Sequence, residues 1–191
     1  GYGVKQDYNK AKELFELAAK QNETESFFYL GTIYEKGLGT IPNYLKAKEY
    51  YEQASKKKDD YALYKLGYFY EKGLGVDQSF LKAKEYYELK GPYYSFSLIK
   101  IGTFYQNGHG VKQDYLEAKK YYALSAQLNN SIGFYKIGNL YRKGKGVPKN
   151  FERAIYFYEL SAKLVNSFAF FYLGVLYSSD DIPKKNITKA L

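Results

Sequence analysis

Residues 66–83 read Leu-Gly-Tyr-Phe-Tyr-Glu-Lys-Gly-Leu-Gly-Val-Asp-Gln-Ser-Phe-Leu-Lys-Ala. With Leu63 added, Leu63, Leu66, Gly67 and Tyr70 fall at i, i+3, i+4 and i+7, the stripe of an amphipathic helix. Gly73-Leu74-Gly75 follows, and glycine reaches the left-handed backbone that stops a helix without a Cβ penalty. Ser79 is then an N-cap former, whose side-chain oxygen can accept from the free N–H groups of a second helix. A helix, a tight turn and the start of another helix are written into one short segment.

The segment recurs. Leu30-Gly31, Leu66-Gly67, Ile101-Gly102, Ile137-Gly138 and Leu173-Gly174 are separated by 36, 35, 36 and 36 residues. The opening octapeptide Gly1–Tyr8 returns 107 residues later as Gly108–Tyr115, three periods on, with His109 in place of Tyr2. Such self-similarity marks a tandem array and takes precedence over any local reading. The first-helix stripe repeats as Phe27, Leu30, Gly31, Tyr34 and as Leu98, Ile101, Gly102, Tyr105, and again around Gly138 and Gly174. A second stripe, spaced 3-4-3, runs Tyr8, Ala11, Phe15, Ala18, then Tyr44, Ala47, Tyr51, Ala54, then Tyr115, Ala118, Tyr122, Ser125. N-cap formers stand at Asp7, Asn43, Ser79, Asp114, Asn150 and Asn186, and Asp114 with Glu117 has the spacing of a capping box.

A glycine inside each first helix costs about 1 kcal/mol against alanine. Its recurrence predicts close helix–helix approach, with Ala47, Ala83, Ala118 and Ala154 opposite and the large tyrosine alongside. None of these glycines is followed by Lys-Ser/Thr, and no G-x-G-x-x-G opens a helix after a strand, so phosphate-loop chemistry is not indicated.

Leu-Gly-x-x-Tyr, Gly-x-Gly-Val and Asp/Asn-Tyr/Phe-x-x-Ala-x-x-Tyr-Tyr together resemble the Sel-one-like repeat, a relative of the tetratricopeptide repeat. The resemblance covers essentially the whole chain. It implies an all-α fold, a right-handed alpha–alpha superhelix of about five helix-turn-helix repeats. Residues 1–23 make a half repeat; 24–58, 59–92, 93–129 and 130–166 make full repeats; 167–191 make a partial one. Members of the family mostly act as scaffolds or adaptors, and some are accessory subunits of membrane-associated enzymes. Two departures stand out. Lys90 occupies an Ala/Ser position and Pro92 follows it in the 35-residue unit, which predicts an early helix end and an altered angle there. Ser178–Pro183 replaces the Gly-x-Gly turn, and both ends read as cuts within a longer array.

The 191 residues are 46% apolar and 26% charged, with 25 tyrosines, no Cys and a net charge of +9. That composition belongs to a folded chain. Without Cys there is no disulfide framework, thiolate metal site or Cys nucleophile. The lone His109 sits in the variable slot of a Gly-x-Gly turn and reads as an exposed loop residue. No Ser-His or Cys-His dyad or metal cluster is apparent, so the chain reads as non-catalytic, with no cofactor, no metal and no small-molecule substrate. No apolar run is long enough for direct membrane insertion. Nucleic acid is a disfavoured partner: the excess charge is nearly all lysine, and Lys12/Glu16, Lys48/Glu52 and Lys84/Glu88 alternate in sign as on a solvated face. Compartment is open, cytoplasmic being slightly favoured, while sequons at Asn22, Asn129 and Asn186 keep a lumenal location in view.

By the tetratricopeptide resemblance, the first helices line a concave groove. Positions three before, one after and four after each repeated glycine then face a partner. They are Phe28, Thr32 and Glu35; Tyr64, Tyr68 and Glu71; Ile99, Thr103 and Gln106; Tyr135, Asn139 and Arg142; Phe171 and Val175, with Ser178 completing the row. These positions vary while the packing positions barely change, as in a repeat array whose contact positions are free. Some of the rings three before glycine are expected to pack on the next repeat instead, and the position one after glycine is the better candidate for exposure. The expected role is a protein-binding scaffold for a partner peptide or helix; the alternative is the targeting arm of an enzyme carried elsewhere in a longer chain.

Overall fold

A computed structural model describes residues 3, 5–57, 59–89 and 94–179, which form ten α-helices and, among the described residues, no strand. The helices are α1 (Tyr8–Lys20), α2 (Thr24–Lys36), α3 (Tyr44–Lys56), α4 (Asp60–Lys72) and α5 (Phe80–Glu88). They continue as α6 (Tyr94–Asn107), α7 (Tyr115–Gln127), α8 (Ser131–Lys143), α9 (Phe151–Lys163) and α10 (Ser167–Tyr177). The chain divides into two compact units, Gly1–Tyr94 and Ser95–Leu191. In each, helices adjacent in sequence pack on one another, as short connections require.

The interior glycines explain the packing. A Cβ placed on Gly31, Gly67, Gly102 or Gly138 would stand 2.6 Å from Cε1 of Tyr51, Tyr87, Tyr122 or Tyr158. The ring of the second helix therefore lies flat on bare backbone of the first. All four tyrosines are fully buried, as are Ala47, Ala83, Ala118 and Ala154. This refines the expectation from sequence, in which alanine faced the glycine and tyrosine packed alongside: the ring itself fills the notch. The alanine backbone closes in beside it, Ala118 O at 3.1 Å from that Cβ position on Gly102.

The residue before each buried tyrosine does a different job. Tyr50, Tyr86, Tyr121 and Phe157 stack on Tyr34, Tyr70, Tyr105 and Tyr141, with centroids 5.5–5.6 Å apart and planes within 14°. Lys46 and Lys82 cap two of these pairs, their ammonium groups 5.2 and 5.4 Å from the rings of Tyr34 and Tyr70. Consecutive aromatics thus point one into the hairpin and one onto its outer seam.

The turns follow the sequence closely. Gly37, Gly73 and Gly144 end α2, α4 and α8 in the left-handed region. Asp7, Asn43, Ser79, Asp114 and Asn150 cap the following helices. The backbone N–H of Asn43, Ser79, Asp114 and Asn150 also returns to the carbonyl of Tyr34, Tyr70, Tyr105 and Tyr141 at 2.8–2.9 Å, closing each hairpin. The capping box forms only by half. Asp114 accepts from the N–H groups of Leu116 and Glu117, but the Glu117 carboxylate turns to Lys120.

Turns between hairpins carry features the sequence reading did not supply. Asn22, Asn129 and Val165 have φ of 65°, 57° and 59°. Glu23, Asp59, Asn130 and Asn166 then cap the first helices. Five residues before each glycine stands a small buried residue, Ser26, Ala62, Ser97, Gly133 or Ala169; at Gly133 a Cβ would meet Ala126 N and Tyr122 O at 2.7 Å. α5 ends at Glu88 after 9 residues against 13 in its sisters, in line with the early end expected. Lys90, Pro92 and the cap candidate Asn186 lie outside the described residues. Gly174 is exposed with nothing within 4 Å, unlike the other four.

Two outcomes test this packing. Gly67→Ala should lower unfolding free energy by about 2 kcal/mol despite better helix propensity, because Tyr87 has no room to yield. Gly174→Ala should raise it by about 0.5–1 kcal/mol; thermal melts followed by circular dichroism decide both. Val165, 83% exposed, gains nothing from burial to offset its left-handed backbone, so Val165→Asn should stabilise by about 1 kcal/mol in urea titrations.

Candidate partner-binding face

The tyrosine hydroxyls link the buried seam to the positions expected to meet a partner. Each ring crosses the first helix at its glycine and delivers its OH to the side chain four residues further on, and in three of the four hairpins also to the side chain one residue on. Tyr51 OH donates to Glu35 and lies 3.3 Å from Thr32 Oγ1. Tyr87 OH donates to Glu71 Oε2 at 2.8 Å. Tyr122 OH donates to Gln106 Oε1 at 3.1 Å and lies 3.3 Å from Thr103 Oγ1. Tyr158 OH donates to Asn139 Oδ1 at 3.0 Å and accepts from Arg142 Nε at 3.1 Å. A buried phenol without a partner costs about 1–3 kcal/mol, so the residue four after glycine is held to hydrogen-bonding types.

Burial raises the pKa of all four phenols. Tyr122 and Tyr158 are pushed up to about 12, moderated by Thr103 in one case and by Arg142 in the other. Tyr51 and Tyr87 rise further, because Glu35 and Glu71 place a carboxylate against each hydroxyl.

The remaining expected positions are placed unevenly. Ile99 is buried in the core of the second unit and Glu71 is buried beneath Tyr87, so both serve internal packing. Phe28, Tyr64 and Tyr135 are half-buried, with rings 5.5–6.0 Å from Tyr51, Tyr87 and Tyr158 respectively. Thr32, Tyr68, Thr103 and Asn139, one after glycine, are each half-buried. Phe171 and Val175 are 63% and 42% exposed. Arg142 lies over the Tyr172 ring at 4.5 Å. Lys65 Nζ reaches both carboxylate oxygens of Glu35 at 2.8 Å, a bridge from α4 to α2 that spacing alone did not reveal.

Of the three pairs expected on the second helices, two form as ion pairs. Lys48–Glu52 and Lys84–Glu88 pair at 2.9 and 2.6 Å, and both lysine side chains are only 18% exposed. His109 is exposed in its turn. Among the described residues there is no group of three His, Cys, Asp or Glu able to hold a metal, and no helix long and apolar enough to cross a membrane.

Helical hairpins joined in tandem, each locked by a tyrosine on a glycine, define an all-α repeat solenoid of about five repeats. The Sel1 repeat pattern matches residues 1–23, 26–59, 60–89, 95–130 and 135–166, and the chain belongs to that family. It is similar to a Sel1 repeat protein of Oxalobacter formigenes, with 30% identity and a TM-score of 0.82 over 93% of this chain and 73% of that one. It is also similar to c5321, a protective antigen of uropathogenic Escherichia coli with an SLR fold, at 29% identity and a TM-score of 0.78. That match covers 98% of this chain but 41% of the other. A Sel1 repeat protein of Klebsiella pneumoniae, 16% identical with a TM-score of 0.56, shares the fold over 90% of this chain and 86% of its own. No curated protein matches in sequence. Sel1 repeat proteins are generally non-catalytic scaffolds for protein–protein interaction.

The raised phenol pKa values make stability fall in alkali. Neutral Tyr122 contributes stability that is complete below about pH 10, where the unfolded phenol is still protonated, and is lost as pH rises to its folded value of about 12. About 2–3 kcal/mol should disappear over that window through this side chain alone. Urea midpoints at pH 9 and pH 11.5 measure the loss for the whole chain, and Tyr122→Phe, which keeps the ring but cannot ionise, should reduce it by about 2 kcal/mol, the share of this side chain.

Proposed function

We propose that the chain is a non-catalytic adaptor that holds an extended peptide or helix of a protein partner along the first-helix face. The observation that carries the reading is a contrast within each hairpin. Positions one after glycine hold Thr32, Tyr68, Thr103, Asn139 and Val175, chemically diverse and in part open to solvent, while the packing positions beside them are buried and nearly constant. Half-exposed rings held rigid by their neighbours are good anchors, since little rotamer entropy is lost when a partner covers them. Tyr64, Tyr68 and Tyr135 supply such rings, and Phe28 and Phe171 extend the row. The hydrogen-bonding side chains of Glu35, Gln106, Asn139 and Arg142 would set register between anchors.

Pairing of Lys48 and Lys84 with glutamates, and of Lys46 and Lys82 with rings, supports a partner other than nucleic acid. Lysines already paired with a glutamate on their own helix, as Lys48 and Lys84 are, release few counterions from a phosphate backbone.

The test combines Tyr64→Ala, Tyr68→Ala and Tyr135→Ala in one chain and compares proximity-labelled and co-purified partners with the parent protein. Helicity by circular dichroism should persist, with a lower melting temperature because the rings are half-buried, and partner recovery should fall about tenfold or more. Recovery of every partner at parental levels by the folded variant would sink the reading.

A further inference from the structure

Two hairpin junctions with the same register are built differently. In the first unit Lys65, two residues before Gly67, meets Glu35, four residues after Gly31, and both carboxylate oxygens lie 2.8 Å from the ammonium. In the second unit the equivalent residues are Lys136, two before Gly138, and Gln106, four after Gly102. The separation in sequence is 30 residues in each case. An amide has replaced the carboxylate. Gln106 still accepts from the buried phenol, as Glu35 does, so the core function of that position is kept. Its charge-balancing function is lost.

Lys136 is consequently half-buried with no carboxylate within ion-pair distance among the described residues. Its one close partner is the Tyr122 ring, 6.0 Å away. Burial, with Lys143 and Lys100 nearby, holds its ammonium below the ordinary lysine range. The side chain borders a cavity of about 280 Å³ lined also by Gln106, Asn139, Lys143, Lys145 and Tyr115, and none of the described residues that line it is acidic. A cluster of three lysines around a polar hollow, with the internal counter-charge deleted, is complementary to an anion.

We propose that this cavity binds the carboxylate of an Asp or Glu side chain presented by the partner, which would pair with Lys136 as Glu35 pairs with Lys65, while Gln106 keeps the phenol. The chemistry of the occupant is taken from the sister junction, where the same lysine–phenol pair is satisfied by a carboxylate. Lysine ammonium groups attract carboxylate and phosphate alike as point charges, so the choice of carboxylate rests on the sister junction, where Glu35 meets Lys65. The inference rests on the first-helix face being the partner surface, and it adds a chemical requirement: an acidic residue in the bound segment.

The experiment titrates the full chain into a fluorescein-labelled decapeptide of alternating Glu and Ala, and into its Gln-Ala counterpart, by fluorescence anisotropy. The Glu peptide should bind at least tenfold more tightly, the scale of one charge-assisted hydrogen bond in a partly buried site. Lys136→Gln removes the cation, and Gln106→Glu restores the internal counter-charge; each should weaken the Glu peptide about tenfold while the protein stays folded. Lys20→Gln, which removes an exposed lysine of the first unit, should change affinity less than twofold.

Equal binding of both peptides would overturn the carboxylate site and leave the adaptor reading standing. So would losses of equal size in Lys20→Gln and Lys136→Gln, which would mean diffuse attraction to a basic protein. Displacement of the Glu peptide by inorganic phosphate well below the acetate concentration needed would assign the cavity to phosphate and overturn it too. Failure of any peptide to bind would also overturn it, while the labelling experiment with the tyrosine variants judges the adaptor role separately.

Discussion

A phenol ring lying on a glycine is the constraint from which the rest of this structure follows. Removing one Cβ lets the second helix approach until Tyr51, Tyr87, Tyr122 and Tyr158 are wholly out of water. Each ring removes a large apolar area from solvent, worth about 2–3 kcal/mol, which more than offsets the helix propensity lost at the glycine. The hydroxyl at its tip must then be satisfied, and the side chain four residues past the glycine meets it in all four hairpins, joined in three of them by the side chain one residue past. Core packing and surface chemistry are therefore coupled through a single side chain in every hairpin.

Coupling of this kind explains an uneven division of labour among the surface positions. The site four after glycine carries Glu35, Glu71, Gln106 and Arg142, which differ in charge yet all hydrogen-bond to a phenol. Charge is free to vary there because the phenol can donate to a carboxylate or an amide and can accept from a guanidinium. Where the residue is acidic, a lysine of the next hairpin can be neutralised from within, as at Lys65; where it is neutral, as at Gln106, the lysine is left facing an open hollow. One substitution in the repeat thus decides whether a junction is closed by its own ion pair or kept receptive.

Much of this architecture was legible in the sequence. The 36-residue period located the hairpins, the 3-4-3 spacing of Tyr44, Ala47, Tyr51 and Ala54 identified a buried face, and the polar residues after each Gly-x-Gly turn proved to be caps wherever they are described. The reach of the phenols was not legible, because a 20-residue separation between Gly31 and Tyr51 says nothing of where the ring tip emerges. Glu23 was missed as a cap because glutamate is a poor capping residue on average; here it accepts from the N–H groups of Glu25 and Ser26, which also lowers its pKa. Asn22 and Asn129 attracted notice as sequons, whereas their structural role is to supply left-handed backbone between hairpins. Ile99 and Glu71 show why register alone could not assign contact residues: the same repeat position is open in one hairpin and covered in the next.

The hydroxyl tether has a consequence for anyone redesigning specificity on this scaffold. A combinatorial library that randomised the surface four residues after each glycine would silently select for foldability first, since aliphatic replacements strand a phenol. Diversity is better installed one residue after the glycine where the phenol already has its acceptor four residues on, as at Thr32, Tyr68 and Thr103, whereas Asn139, which accepts from Tyr158, is kept.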